Sequence, residues 1–295
     1  MIASVSVDLD GLGCYAAIHG LPLQLNDSAL RAVPEVAVAR LCALFAELQI
    51  PATFFVIGLE LSISTAGIKA AAAAGHEIAS HSFAHDYALS RRLPAAIDQD
   101  LALAEDAIFA AVGARPRGFR APGYTLSKAL LGVIAARGYR YDSSLLPSPL
   151  YYAAKAAAMG LHALRGRRSH SILGSPRQLF ARRRPHLRHG VRELPVATLP
   201  LLRLPVIGTV AVGVSPLVTA ALARRAFAGG HFNLELHGID ALDASDAPPA
   251  LAGVQPGLRT PAALKLKRLR ALLVSLKERA ALVSLEEAAR RIWPD

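Results

Sequence analysis

Residues 75–85 read Gly75-His76-Glu77-Ile78-Ala79-Ser80-His81-Ser82-Phe83-Ala84-His85. Gly75 stops an Ala-rich helical stretch, Ile68 to Ala74, because glycine takes the left-handed conformation at a helix end without strain. Glu77 to Ser80 then reads as a short strand that runs into polar residues. The pattern repeats outward from this point. Upstream, Ile2 to Asp10 is a β-branched run ending in carboxylates. A helix capped by Asp27 or Ser28 carries Ala37, Leu41, Leu44, Phe45 and Leu48 at helical spacing, and Ala52 to Val56 is a strand closed by Gly58. Downstream come a helix from Leu93 to Val112 ended by Gly113, a strand from Arg117 to Arg120, a helix from Ser127 to Ala136 ended by Gly138, and a strand from Tyr139 to Asp142. Strand–helix alternation predicts a parallel sheet or barrel rather than separate α and β modules.

The rhythm breaks from Ala153 to Gly190, a stretch rich in Arg, His, Gly and Pro. It returns with strands at Arg192–Val196 and His231–His237. Thr260-Pro261 reads as the cap and first position of a long Leu/Lys/Arg helix. Ala281 to Val283 reads as a last strand, and Ser284 with Glu287 as a capping box for the final helix. No repeat and no composition shift divides the chain, so residues 1–295 are expected to form a single catalytic domain.

The 295 residues are 53% hydrophobic and 19% charged, which excludes disorder as the main state. A net charge of +11 points to an anionic partner. Aromatics at 6% disfavour stacking on single-stranded nucleic acid, and no nucleic-acid motif is present, so none is expected as a partner. Cys14 and Cys42 are too few for a disulfide scaffold or a four-thiolate zinc site. The opening residues read as a strand rather than a secretory leader, and a cytoplasmic location is expected. Leu204 to Ala223 carries no charge, but Pro205, Gly208, Gly213 and Pro216 argue for a buried strand, a turn and a helix from Pro216 rather than a membrane span.

Polar residues at strand ends are few. Asp8 and Asp10 are two apart on the first strand and are expected to face one side, one as a metal ligand and the other as a base. The common alternative is a loop-capping pair. His81 and His85 are four apart, and on a helical turn both imidazoles would project from one face toward a shared metal. Alone, such a pair is more often exposed or capping. Arg120 alone could be a surface arginine, and His237 on an apolar strand is more often a satisfied core histidine. The joint pattern shifts the reading: four strand ends, in order, each supply one piece of a hydrolytic metal site.

In that order, Asp8-Leu9-Asp10, Ala52-Thr53-Phe54-Phe55-Val56-Ile57-Gly58, Gly75 to His85, and Phe119-Arg120-Ala121-Pro122-Gly123-Tyr124 resemble the polysaccharide deacetylase (NodB-homology, carbohydrate esterase) family. The match is good over residues 2–145. It is fainter over 192–295, through Glu193-Leu194-Pro195-Val196 and Leu236-His237. The resemblance implies an α/β fold, a distorted (β/α) barrel, here with a basic insertion near 153–190. It implies a divalent metal, commonly Zn2+, with Co2+, Ni2+ or Fe2+ also compatible, held by Asp10, His81 and His85. It further implies Asp8 as general base, Arg120 orienting Asp8, the Tyr124 backbone N–H at the oxyanion, Leu234 or Leu236 lining the acyl pocket, and His237 protonating the leaving amine. The family's usual Asp-and-Trp partner of that last histidine is absent, which leaves Glu193 or Asp240 to tune His237.

The implied activity is metal-dependent hydrolysis of an N-acyl group, acetyl or formyl, from an amino sugar, on a lipid-linked or phosphorylated substrate. Two other readings stand beside it: a cyclic amide or allantoin-type hydrolase on the same fold, and a non-catalytic carbohydrate- or lipid-binding barrel. From Lys155 to Gly190 there are eight arginines and no Asp or Glu, interleaved with Met159, Leu161, Leu164, Ile172, Leu173, Leu179 and Phe180. This segment reads either as a solvated loop or as a surface for anionic lipid or a substrate phosphate, placing the protein peripherally on the inner face of a membrane.

Overall fold

The computed structural model describes residues 1–227 and 230–294. Among these, nine strands form one sheet: β1 (Ile2–Asp8), β2 (Thr53–Val56), β3 (Glu77–Ser80), β4 (Gly118–Phe119), β5 (Tyr141–Asp142), β6 (His186–Arg188), β7 (Val191–Glu193), β8 (His231–His237) and β9 (Ala281–Leu282). The order is β6-β7-β5-β4-β3-β2-β1-β8, with β9 also on β1. Every pairing is parallel except the β6–β7 hairpin. The sheet curls, and residues 194–198 cross the opening between its ends. Val196 N–H donates to Leu145 O at 2.9 Å and Ala197 N–H to Asn233 O at 3.0 Å. The expected distorted (β/α) barrel is the fold observed.

The two-residue period of a strand explains how the sheet sorts its residues. On β1 and β8, Val5, Val7, Leu234 and Leu236 are fully buried in the main apolar core, against Leu41, Leu269 and Leu273 of the surrounding helices. The alternate residues form a polar interior. Ser4 pairs with His231 (3.0 Å), Ser6 donates to Asn233 Oδ1 (2.9 Å), and Asp8 and His237 end the two strands in register.

The helices are α1 (Leu12–Ile18), α2 (Asp27–Arg31), α3 (Val38–Leu48), α4 (Ala66–Ala73), α5 (Pro94–Val112), α6 (Lys128–Ala136), α7 (Pro149–Leu164), α8 (Gly208–Gly213), α9 (Pro216–Ala226), α10 (Pro249–Val254), α11 (Ala262–Lys277) and α12 (Leu285–Ile292). A π-helical segment, Ala32–Ala37, joins α2 to α3. Caps differ from expectation at three places. Asn26, not Asp27 or Ser28, accepts from Ala29 N–H at the start of α2. Asp243 reaches across to the free N–H of Ala262 at α11 (2.8 Å), in place of Thr260. Only half of the α12 capping box forms: Ser284 accepts from Glu287 N–H, while the Glu287 carboxylate pairs with Arg290 and Arg291.

The stretch from Ala153 to Gly190 is not a loop throughout. Its first part belongs to α7, which starts at Pro149 under a Ser148 hydroxyl cap and runs through Ala-rich sequence of high helix propensity. Leu204 to Ala223 holds α8 and the start of α9. The strand expected at its beginning is reduced to two isolated bridges, Thr198 with Pro205 and Ile207 with Glu235. Among the described residues no helix is long and apolar enough to cross a membrane.

Candidate active site

Asp10, His81 and His85 converge beyond the ends of β1 and β3. Asp10 Oδ1 lies 3.3 Å from His81 Nε2 and 3.4 Å from His85 Nε2, and all three side chains are buried. The two histidines do not share a helical turn as expected. They sit on an irregular bend in which Ser82 (φ 68°) and His85 (φ 51°) are left-handed, a conformation that costs non-glycine residues energy unless the surroundings hold it. The surroundings do hold it. Asp100, on α5, accepts from the N–H groups of Phe83 (2.9 Å) and Ala84 (3.2 Å), and Ser82 Oγ accepts from His85 N–H (3.0 Å). The Nδ1 of His81 lies 2.7 Å from the Arg120 carbonyl, which fixes the ring with Nε2 toward Asp10. Burial pushes the Asp10 carboxyl up, but the imidazoles of His85 and His81 outweigh it and hold Asp10 well below the ordinary carboxylate range. Asp10 Oδ1 and His85 Nε2 are buried without hydrogen-bond partners, an arrangement that costs energy unless a cation fills it. The donor set, one carboxylate and two imidazoles, fits a divalent ion such as zinc.

Asp8 lies beside this cluster. Arg120, fully buried at the end of β4, donates to Asp8 Oδ1 at 2.5 Å, to the Ser143 carbonyl at 2.8 Å, and to the hydroxyls of Ser6 and Ser143 at 2.9 Å each. Its guanidinium lies 4.1 Å above the Phe55 ring. All three nitrogens of this cation are engaged and one face is covered by the ring, so its position fixes that of Asp8. Burial raises the Asp8 carboxyl above its ordinary value against the pull of Arg120 and His81.

His237 closes the opposite side. Its Nδ1 lies 2.7 Å from Glu235 Oε1, its Nε2 lies 3.9 Å from Asp10 Oδ2, and its backbone N–H donates to Asp240 at 2.9 Å. Burial alone would lower the imidazole, but the Glu235 carboxylate drives it well above its ordinary value. Glu235 is pulled down in return against its own burial. The partner of the His237 ring is therefore Glu235 and not Glu193, while the Asp240 carboxylate holds the His237 backbone N–H. Glu193 accepts from Leu145 N–H and lies beside Asp142. Gly208 is required here, because a Cβ at that position would come within 1.9 Å of Asp240 Oδ2. Asp8, Glu235 and His237 form a second group with cation-binding geometry. Arg120 already covers Asp8, however, and Glu235 already holds His237, so this group reads as a base and an acid.

Asp8, Asp10, His81, Tyr124 and His237 open into one cavity of about 330 Å³. Leu234 and Leu236 do not reach it. Strand alternation that turns Glu235 and His237 inward turns these two leucines into the outer core, where they are fully buried. The Tyr124 N–H donates to the Ala121 carbonyl (3.1 Å) within the turn Pro122–Tyr124, so it is not free as an oxyanion donor in this structure. Tyr124 contributes its ring, which lines the cavity. Tyr15 and His19 also line the cavity. Sequence reasoning missed Glu235, although it is two residues from His237 and so shares its face. It also missed Ser143 and the wall supplied by α7, which are distant in sequence.

The polysaccharide deacetylase family model matches residues 30–141. A peptidoglycan deacetylase of Helicobacter pylori is 26% identical over 148 residues, 50% of this chain and 50% of that protein, so the match spans half the length of that curated relative. Among solved structures, a putative polysaccharide deacetylase from Mycobacterium smegmatis superposes with a TM-score of 0.64 at 19% identity, covering 99% of this chain and 89% of the other. A CE4 family pseudoenzyme from Bacillus anthracis superposes with a TM-score of 0.54 at 11% identity, covering 98% and 65%. At such identities these structures establish the fold alone. Motif order, family model and fold agree in what they resemble: the chain is similar to the polysaccharide deacetylases over residues 30–141 and shares the fold of such proteins over nearly its whole length.

Proposed function

We propose that residues 1–295 act as one metal-dependent hydrolase that removes an N-acyl group, acetyl or formyl, from an amino sugar. The observation that carries this reading is the orphaned pair Asp10 Oδ1 and His85 Nε2, with an Arg120-held carboxylate on one side and a Glu235-held imidazole on the other. Asp10, His81 and His85 would hold the ion, with zinc favoured by the donor set. When bound, it supplies Lewis-acid activation of water and of the acyl carbonyl. The remaining work falls to the chain. Asp8, fixed by Arg120, takes the proton from the attacking water. His237, kept protonated by Glu235, delivers a proton to the departing nitrogen, without which an amine leaves poorly. Tyr124 packs its ring along the bound sugar. The test is incubation of the metal-loaded chain with N-acetyl and N-formyl amino sugars, following acid release by mass spectrometry. Asp8→Asn should abolish release while the metal is retained. Release by Asp8→Asn at the unmodified rate would overturn the assignment.

The reading extends to where the substrate lies. Residues 143–234 contain thirteen Lys and Arg and a single acid, Glu193, so they carry all of the chain's net positive charge. The same region exposes Leu161, Leu164, Phe180, Leu201, Leu202 and Leu217. Exposed leucines among arginines fit an anionic lipid surface, because the charge attracts the headgroups and the leucines enter the acyl boundary. Not all of the arginines are available for this. Arg183 is tied to Thr198, and Arg203 to the Ala181 carbonyl and the Phe180 ring. Arg165, Arg177 and Arg182 are exposed. This supports a protein peripheral to an anionic membrane surface.

A further inference from the structure

The outer wall of the cavity carries chemistry that hydrolysis does not use. α7 turns one face toward it, with Tyr151, Lys155, Ala158 and His162 at helical spacing. The Lys155 ammonium is half-buried, 3.3 Å from the Gly123 carbonyl and 5.9 Å above the Tyr87 ring. The Tyr87 ring in turn meets the His85 ring edge-on at 4.9 Å. Lys155 thus stands one aromatic ring away from the metal-ligand cluster. Among the described residues no carboxylate pairs with it, and the two acids lining the cavity, Asp8 and Asp10, are committed to Arg120 and to the histidines. Burial pushes its amine down to about 8, which reflects how poorly the site solvates an ammonium that has no counter-ion. Holding a cation partly out of water without a partner is unfavourable, and an incoming anion removes that penalty. About 10 Å further along α7, roughly seven residues at 1.5 Å each, His162 meets His19 with ring centroids 5.3 Å apart. His19 is held by Gln255 at 2.7 Å. This pair, with Ala158 and Ile18, lines the way out.

We propose that Lys155 anchors the phosphate of a phosphorylated amino sugar, with the His19–His162 pair flanking whatever the phosphate is joined to. The inference rests on the hydrolase reading and adds its substrate class. A lone ammonium acts as a point charge, the way lysine commonly holds a phosphate. The cavity volume lies at the lower end of small-ligand sites and, roofed by α7, suits a sugar and its substituent better than a continuous polysaccharide strand.

Calorimetric titration of the full chain with glucosamine 1-phosphate and with glucosamine, neither of which can be deacylated, reads the subsite without turnover. The phosphorylated sugar should bind about ten- to hundredfold more tightly, the range expected for one charge-assisted contact. Lys155→Met should erase that preference and leave glucosamine affinity unchanged, while Lys155→Arg should retain most of it. Equal affinity of the two sugars, binding of neither, or a preference that survives Lys155→Met overturns the proposal. So does an equal loss for both sugars, which would make Lys155 a prop for the Gly123 turn. Acyl-release assays on a free N-acyl sugar phosphate and on a polyprenyl-phosphate-linked one in vesicles distinguish the two sources of phosphate. Lys155-dependent turnover of either supports the subsite. Phosphate preference without any acyl release would sink the hydrolase reading alone, and acyl release without the preference would sink the subsite alone.

Discussion

Replacing Glu235 by glutamine preserves the size of the side chain and removes the negative charge that lies 2.7 Å from His237 Nδ1. Glu235 is completely buried and His237 mostly so, so the charge is only weakly screened. A hydrogen bond to a charged partner contributes about 1.5–3 kcal/mol. At about 1.4 kcal/mol per tenfold, kcat/KM for an N-acyl amino sugar should fall about ten- to hundredfold in Glu235→Gln. His237→Ala removes the acid itself and should cost more, about 100- to 10,000-fold. The assay compares amine release from the amide with phenol release from an aryl acetate. Phenolate departs without prior protonation, so the ester rate should change little in either variant. Thermal unfolding checks that the near-isosteric variant is folded. Equal losses on amide and aryl ester, or an undiminished amide rate, would refute the acid role and reduce Glu235 to a packing residue.

Elemental analysis after dialysis should find about one divalent ion per wild-type chain and essentially none in Asp10→Asn or in the His81/His85 double alanine variant. Stoichiometric metal in the double variant would overturn the ligand set. Burial pushes His231 down to about 4, so it stays neutral in the folded chain while the unfolded chain binds a proton below about 6.5. Its contribution is therefore fully present above pH 6.5 and is lost as pH falls toward 4. Between pH 7 and pH 5 wild type should lose about 2 kcal/mol that His231→Gln does not lose, read by denaturant unfolding; identical pH profiles would refute the linkage. Replacing exposed Arg165, Arg177 and Arg182 by serine should weaken sedimentation with acidic vesicles, by about 1 kcal/mol per charge before screening. Wild-type binding to acidic vesicles no stronger than to neutral ones would leave this face as a solvated surface.

Where a residue's role depends on its neighbours along the chain, the sequence made it legible. Gly75 and Gly113 mark helix ends, Glu77–Ser80 and His231–His237 match the strands observed, and Asp8, Asp10, His81 and His237 do line one cavity, with His85 against Asp10 and Arg120 against Asp8. What escaped depended on contacts between distant elements. The Asp243 cap of α11 comes from nineteen residues upstream. The bend carrying His81 and His85 is held by Asp100, whose acceptor role no local pattern reveals. α7 was hidden because the arginines and glycines after it dominated the composition of the stretch. Leu234 and Leu236, which the resemblance places at the acyl pocket, instead face the outer core. On a strand, the immediate neighbour points the other way and the next but one points along, which is why Glu235 is the residue that matters to His237.

The concentration of positive charge in residues 143–234 leaves the other residues with a net charge of −1. The excess positive charge therefore sits on one stretch of the chain, α7 included, and an uneven charge distribution gives a molecule a dipole. An anionic partner exerts a torque on such a dipole before contact, turning the basic side forward while the two are still about a Debye length apart, about 8 Å at physiological salt. Because α7 belongs to that side and also walls the cavity, the same rotation carries the cavity mouth toward the partner. Salt should then slow the encounter rate more than it hastens departure, since departure is also resisted by apolar contacts that ions do not screen. The charge distribution thus acts as an aiming device, with consequences for how often an encounter is productive.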